Sequence, residues 1–194
     1  MILFCKCLKV KVISTLALLL FSTVFTFCQS TKLYEVLPLV DSNVVYSEVV
    51  MADNISKNEL FTRAKKWSVD AYVSAKDVTQ YEDKEAGELI VKAQFDALYQ
   101  ITFYQIDPVQ IRHVVKIDVK DGKYRYEISN LIVKYLIPSP TQYGRSREAE
   151  MPIERFNQKN RPQNSAKFAV GINNKIQEII KSLKTAMETS KKDW

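Results

Sequence analysis

An Asp-Gly pair between two stretches of alternating side chains is the feature that most constrains the fold of this chain. Apolar and charged residues alternate over residues 115–120, before Asp121-Gly122, and the alternation resumes over residues 124–128. A two-residue Asp-Gly loop closes a tight hairpin and fixes which residues lie opposite each other. The sequence therefore predicts two antiparallel strands joined at Asp121 and Gly122.

The register of this hairpin predicts one apolar face and one charged face. On the charged face, Asp118 lies opposite Arg125, and Lys116 lies opposite Glu127. Two opposite-charge pairs, each contributing about 0.2–1 kcal/mol, favour the same register as the apolar residues. The apolar face pairs Val119 with Tyr124, Ile117 with Tyr126, and Val115 with Ile128. We expect the apolar face to be buried and the charged face to contact water.

Residues 55–71 begin with the clearest helix start in the chain. Ser56 and Glu59 form an S-x-x-E capping box, and Ile55 and Leu60 have the spacing of a hydrophobic staple. The side of this helix that is expected to pack on the sheet consists of Leu60, Ala64, Trp67 and Ala71.

β-branched and alternating residues predict three more strands. Val44–Met51 is expected to form a strand before the helix, preceded by an extended lead-in over residues 31–43. Asp77–Glu82 and Glu88–Tyr104 are expected to form a second hairpin. Gly87 can adopt the left-handed conformation that ends such a loop.

Proline content divides the C-terminal part of the chain. Residues 137–164 contain four of the six prolines and are predicted to be a loop or linker. Pro108 predicts that residues 105–110 interrupt the sheet. A final helix over residues 165–192 is expected to pack on the domain through one apolar stripe, Ile172, Ile176, Ile179, Ile180, Leu183 and Met187.

The first 28 residues have the three-part layout of a secretory signal peptide. Three lysines and no acid occur in residues 1–11, ahead of the uncharged stretch Val12–Phe27. The apolar stretch enters the membrane while the lysines stay on the cytoplasmic side. Small residues predict cleavage within residues 28–30. Two alternatives stay open: an uncleaved anchor, and a lipoprotein whose lipid is attached to Cys28.

Removal of this segment changes what the composition implies. All three cysteines, Cys5, Cys7 and Cys28, lie in it, so the mature chain is expected to have no disulfide framework. The segment also contains three of the 28 basic residues and none of the 22 acidic ones. Its loss lowers the net charge from +6 to +3. We expect the mature domain, residues 31–136 with its C-terminal extension, in the periplasm or cell envelope.

Candidate catalytic residues are few. His113 is the only histidine, so any Ser-His-Asp mechanism would depend on it. Its spacing from Val115 places it on the core-facing side, which indicates a structural histidine. The acidic candidates flank a turn, where solvated charges are common, and they are Glu82, Asp83, Glu85 and Glu88. No catalytic, cofactor-binding or metal residue is therefore assigned, and no cofactor is expected.

Four segments carry a family resemblance: residues 44–50, residues 55–61 with Trp67 downstream, residues 81–87, and residues 119–126. Over roughly residues 38–136 the chain resembles a secreted family of Gram-negative bacteria, a domain of unknown function with a TBP-like fold. The resemblance implies an α+β domain with a curved antiparallel sheet, in the order β-α-β-β-β-β-α, and helices on one face. It brings no known catalytic or ligand residues.

We therefore expect an exported, non-catalytic interaction module that binds an unidentified envelope protein or ligand. The binding surface would be the open face of the sheet or residues 137–164. The alternative is an envelope hydrolase built on His113 and distant acids, or a membrane-surface protein that uses the last helix or Cys28.

Nucleic acid is not an expected partner. A nucleic-acid surface needs basic residues clustered on one face, whereas the signs alternate on the exposed face of the hairpin. Export would also separate the protein from cytoplasmic nucleic acid. Residues 137–164 still offer side chains for contact with anionic lipid, glycan or a docking partner: Tyr143, Arg145, Arg147, Met151, Arg155, Phe156 and Arg161.

Overall fold

A computed structural model describes residues 36–72, 79–100, 106–139, 144–155 and 162–188. The predicted signal peptide and its cleavage site lie outside the described residues. So do residues 77–78 and 101–104 of the second predicted hairpin. Thr31–Trp194 form one compact unit.

Within the described residues, six strands form one antiparallel sheet. They are β3 (Tyr46–Met51), β4 (Thr79–Asp83), β5 (Glu88–Gln100), β6 (Ile106–Lys120), β7 (Lys123–Ile137) and β8 (Arg147–Pro152). Their order across the sheet is β3-β7-β6-β5-β4, and β8 also pairs with β7, beyond the end of β3. A separate small hairpin joins β1 (Leu39–Val40) to β2 (Asn43–Val44), within the predicted lead-in.

Two helices, α1 (Lys57–Ala71) and α2 (Pro162–Glu188), cover one face of the main sheet. Their buried side chains join those of the strands in a single core. The order of elements from β3 onward contains the predicted sequence of strand, helix, four strands and helix, with β8 added. The predicted α+β class, an antiparallel sheet with helices on one face, is confirmed.

The central hairpin has the predicted register. The Cα partners are Val119 with Tyr124, Ile117 with Tyr126, and Val115 with Ile128, and all six side chains are buried. Gly122 adopts a φ of +71°, and Gly87, at the end of the β4–β5 loop, a φ of +80°. Both glycines therefore occupy the left-handed region that their turns require.

Helix α1 begins where the capping box places it. Ser56 has extended backbone, and its hydroxyl accepts a hydrogen bond from the Glu59 amide at 3.3 Å. The predicted apolar side is wrong at its last position, because Ala71 is exposed. Phe61 is buried instead, since α1 presents a wider surface to the core than a single stripe.

The prediction that residues 105–110 interrupt the sheet is wrong for Ile106–Gln110, which belong to β6. Pro108 lies opposite Leu98 of β5. The pairing between β6 and β7 begins only at Gln110, so Pro108 has a strand neighbour on one side. A strand that is paired on one side can accommodate a residue without an N–H.

The interpretation of residues 137–164 as a loop or linker is wrong for much of the segment. Arg147–Pro152 form β8, which pairs with Ile132–Ile137 of β7, and a 3₁₀ turn follows at Ile153–Arg155. Ile153 is fully buried. Pro138 follows β7, Pro152 ends β8 and Pro162 begins the last helix, and at such positions a missing N–H costs little. These prolines therefore do not indicate an unstructured linker.

Helix α2 packs along the sheet and against α1 through one continuous stripe. Seven apolar residues in its described part are buried, Phe168, Ala169, Ile172, Ile176, Ile180, Leu183 and Met187. Ile179 of the predicted stripe is half-buried. In the part of the chain that the structure describes, neither helix is long and apolar enough to cross a membrane.

Candidate interaction surface

His113 lies inside the core rather than at a surface. It sits on β6 where the β6–β7 register shifts, and its side chain is fully buried. The Nε2 atom is 3.1 Å from the Tyr72 hydroxyl, and the Phe95 ring lies 5.4 Å away between centroids. Burial lowers the pKa of His113 to about 4, with a smaller opposing effect from the Ile111 backbone. The imidazole is a packed, neutral core group that substrate cannot reach.

Three of the four acidic candidates have structural side-chain contacts, and at Glu85 the backbone carbonyl accepts a hydrogen bond from Lys57 Nζ at 2.5 Å. The Asp83 carboxylate accepts from the Ala86 amide at 2.8 Å, which closes the β4–β5 loop. This backbone hydrogen bond lowers the pKa of Asp83. Glu82 pairs with Lys65 at 2.9 Å, and Glu88 pairs with Lys116 at 2.6 Å. Among the described residues no cluster of three or more His, Cys, Asp and Glu side chains could hold a metal ion.

The face of the sheet that points away from the helices is charged over its central part. Arg125 pairs with Asp118 at 2.6 Å, as the register predicts. Lys116 is opposite Glu127 in the register, but its ammonium group contacts Glu88 of the other neighbouring strand. Further ion pairs join β8 to this face, Arg112 to Glu150 at 2.5 Å and Lys134 to Glu148 at 2.9 Å.

These ion pairs determine what the open face can attract. Each basic residue in them lies within 3 Å of an acid, so its charge is already neutralised locally. A groove for the phosphates of nucleic acid needs basic residues without such partners. The four basic residues in these pairs are therefore poorly suited to hold a polyanion.

One end of the same face is apolar and exposed. Leu98, Ile106 and Leu136 are 70%, 56% and 62% exposed. Pro108, opposite Leu98, is exposed between them. We call these four residues the distal patch. Isolated apolar residues are common on surfaces, but a contiguous group on an open sheet marks a place where a partner can exclude water.

The distal patch was not predicted from the sequence. Residues 105–110 were expected to interrupt the sheet, so Ile106 and Pro108 were not expected to lie beside β5. The signal that would have found the patch is the alternation of Ile132, Lys134 and Leu136, which continues the open face of β7 to its end.

Two clefts border the helices. One, of about 480 Å³, lies between α1 and β4, with Phe61 and Val69 among its apolar walls and Lys65 and Glu82 at its rim. The other, of about 280 Å³, lies between β3 and α2 beside Tyr46, Glu48 and Lys184. Neither cleft contains His113.

The chain is similar to a known protein family. Residues 46–134 match the model of a domain of unknown function, DUF4468, that has a TBP-like fold. This match confirms the predicted resemblance to a domain of unknown function and, with the solved structures below, the predicted TBP-like fold. The match begins at β3 and ends within β7, so it contains α1 and the central hairpin but neither β8 nor α2. No curated protein matches the chain.

Solved structures extend the likeness of fold beyond the DUF4468 region. A TBP-like protein from Parabacteroides distasonis is 18% identical, with a TM-score of 0.62, covering 81% of this chain and 100% of that one. A DUF4468 family protein from Bacteroides ovatus is 13% identical, with a TM-score of 0.59, covering 81% of this chain and 93% of that one. At these identities the likeness shows the fold alone.

Proposed function

We propose that this chain is an exported, non-catalytic interaction module of the cell envelope. It binds a protein partner through the open face of its sheet, with the distal patch as the centre of the contact. The observation that carries the proposal is the exposure of Leu98, Ile106 and Leu136 at one end of a face whose centre contains several ion pairs. Apolar side chains at the centre of an interface contribute most of its binding energy.

The chemistry of the surface defines the partner. An apolar segment of the partner would cover the distal patch, and polar groups would meet the paired charges nearby. The ion pairs would orient the partner more than they would strengthen its binding, because their charges already interact with each other within this chain. The N-terminal basic and apolar segment supports export, and therefore a partner in the envelope.

The test is capture of partners from envelope fractions with matched surface variants. We expect the double variant Leu98→Lys with Leu136→Lys to lose a protein that the unmodified chain captures. Val170→Lys is the control, because Val170 is 44% exposed on α2, away from the open face. A protein captured equally by all three chains would contradict binding at the distal patch.

Point variants are better suited to this test than deletion of residues 137–164. That segment contains β8, which pairs with Ile132–Ile137 of β7, and the buried Ile153. Its removal would expose core side chains and add non-specific capture. Failure to capture any envelope protein with the unmodified chain would count against the proposed function as a whole.

A further inference from the structure

Three described strands lie at the outer edges of the main sheet: β3 and β8 on one side, and β4 on the other. The exposed backbone groups of an edge strand pair readily with another strand. Proteins usually prevent this pairing with charges, prolines, bulges or covering elements. The three edges differ in whether they carry such protection.

Strands β4 and β8 are protected. The pairing of β4 with β5 shifts between Thr79 and Tyr81, and the Lys65–Glu82 ion pair joins β4 to α1. Strand β8 contains three charged residues in six and ends at Pro152. Each feature opposes the addition of a further strand.

Strand β3 has neither a proline nor a bulge, and it contains a single charge. Its sequence, YSEVVM, contains no lysine or proline, and it pairs with β7 over six residues without a register shift. Its one charge, Glu48, accepts hydrogen bonds from Lys184 Nζ at 2.7 Å and from the Tyr126 hydroxyl at 2.8 Å. These hydrogen bonds lower the pKa of Glu48. The carboxylate is therefore already satisfied within its own chain.

The pairing with β7 determines which backbone groups of β3 remain on the outside. The Ala52 amide donates to the Gly122 carbonyl at 2.8 Å, so the even-numbered residues of β3 direct their backbone groups towards β7. The odd-numbered residues direct theirs outward. The Val45 amide donates to the Pro38 carbonyl at 3.1 Å, which covers the start of the edge. Ser47, Val49 and Met51 follow along the open part.

We propose that β3 pairs with β3 of a second copy of this chain, antiparallel and centred on Val49. In this register Val49 lies opposite the partner's Val49, Ser47 lies opposite the partner's Met51, and Glu48 lies opposite the partner's Val50. No like charges face each other. The pairing joins two sheets into one and covers Val49 and Met51, which are 57% and 66% exposed in the single chain.

Sedimentation velocity on the purified chain tests this pairing. We expect a monomer–dimer equilibrium that shifts towards dimer between about 1 and about 200 μM. Val49→Lys should raise the dimer dissociation constant at least about tenfold, since the two new ammonium groups would face each other at the centre. The control is Leu98→Lys, the same kind of change on an exposed apolar residue far from β3, which should leave the dimer unchanged.

A charge swap checks the register. Val49→Glu alone should also dimerise more weakly, whereas an equimolar mixture of Val49→Lys and Val49→Glu chains should form the mixed dimer. A monomeric wild type at the highest concentration, or a Val49→Lys chain that dimerises as strongly as the wild type, would overturn the proposal. A mixture that stays monomeric would overturn the centre at Val49. Circular dichroism confirms that each variant is folded, which is expected because the Val49 side chain is exposed.

Discussion

At the scale of single residues, His113 makes the folded state sensitive to acid. Its pKa is about 4 in the folded chain, against about 6.5 for an unperturbed histidine. The unfolded chain therefore binds an additional proton as the pH decreases through this interval. The free energy of unfolding is unaffected by His113 above about pH 6.5 and decreases towards pH 4, by up to about 3 kcal/mol.

Urea denaturation at a series of pH values measures this effect. We expect His113→Phe to remove most of the decrease between pH 6.5 and pH 4, because phenylalanine has similar volume and no ionisable group. Tyr72→Phe is the control: it removes the hydrogen bond to Nε2 but keeps the histidine buried. It should lower the free energy of unfolding by about 1 kcal/mol and leave the pH dependence in place. An unchanged slope in His113→Phe would contradict the assignment.

At the scale of elements, two hairpins end in glycines that differ in their surroundings. A Cβ on Gly87 would lie 2.6 Å from Lys57 Cε and from the Val119 carbonyl oxygen, whereas one on Gly122 would have no neighbour within 4 Å. Both positions have positive φ, so alanine is strained at each. We expect Gly122→Ala to cost about 1 kcal/mol and Gly87→Ala about 1–3 kcal/mol more.

The extra cost at Gly87 has a specific structural reason. The Gly87 carbonyl accepts from the Val119 amide at 2.8 Å, which holds the β4–β5 loop against the end of β6. A side chain at residue 87 would push these groups apart. Chemical denaturation of the two variants provides the comparison, and equal losses of stability would show that this close approach is unimportant.

Local sequence patterns were sufficient to predict the structure wherever one short segment determines its geometry. The Asp121-Gly122 loop fixed the hairpin register, and Ser56 marked the start of α1, because each depends on residues within one turn of chain. Pro108 and residues 147–152 were misinterpreted for the opposite reason. A proline is compatible with a strand when one neighbour is missing, and β8 exists because β7 continues past β3. Both facts depend on strand order, which local sequence does not specify.

The candidate surface was only partly predictable for the same reason. The charged centre of the open face follows from the hairpin register, which places Asp118 opposite Arg125. The distal patch depends on three strands reaching the same end of the sheet, and Leu136 is far along the chain from Leu98 and Ile106. The predicted helix stripe on α2 was recovered because helical spacing is local.

At the scale of the whole molecule, the sheet has one exposed apolar region at an end and another at an edge. The distal patch lies on the open face at one end, and Val49 with Met51 lies on the β3 edge. Because these regions belong to different strands, a β3 dimer would leave the distal patch accessible. Binding of a partner and pairing of two copies are therefore compatible, and each can be removed without the other, by Leu98→Lys with Leu136→Lys or by Val49→Lys.

The proposed export concerns the whole chain, and the cysteines provide an assay for it. If cleavage within residues 28–30 removes Cys28 with the signal peptide, the mature chain has no thiol. Cys5, Cys7 and Cys28 are the only cysteines of the sequence. We expect intact-mass analysis of the chain from an envelope fraction to show loss of the first 28–30 residues and no reaction with a thiol reagent. Cys28→Ala should still be cleaved, because alanine satisfies the same small-residue requirement. A lipid-sized mass on Cys28 would identify the lipoprotein alternative, and an intact Met1 would contradict a cleaved signal.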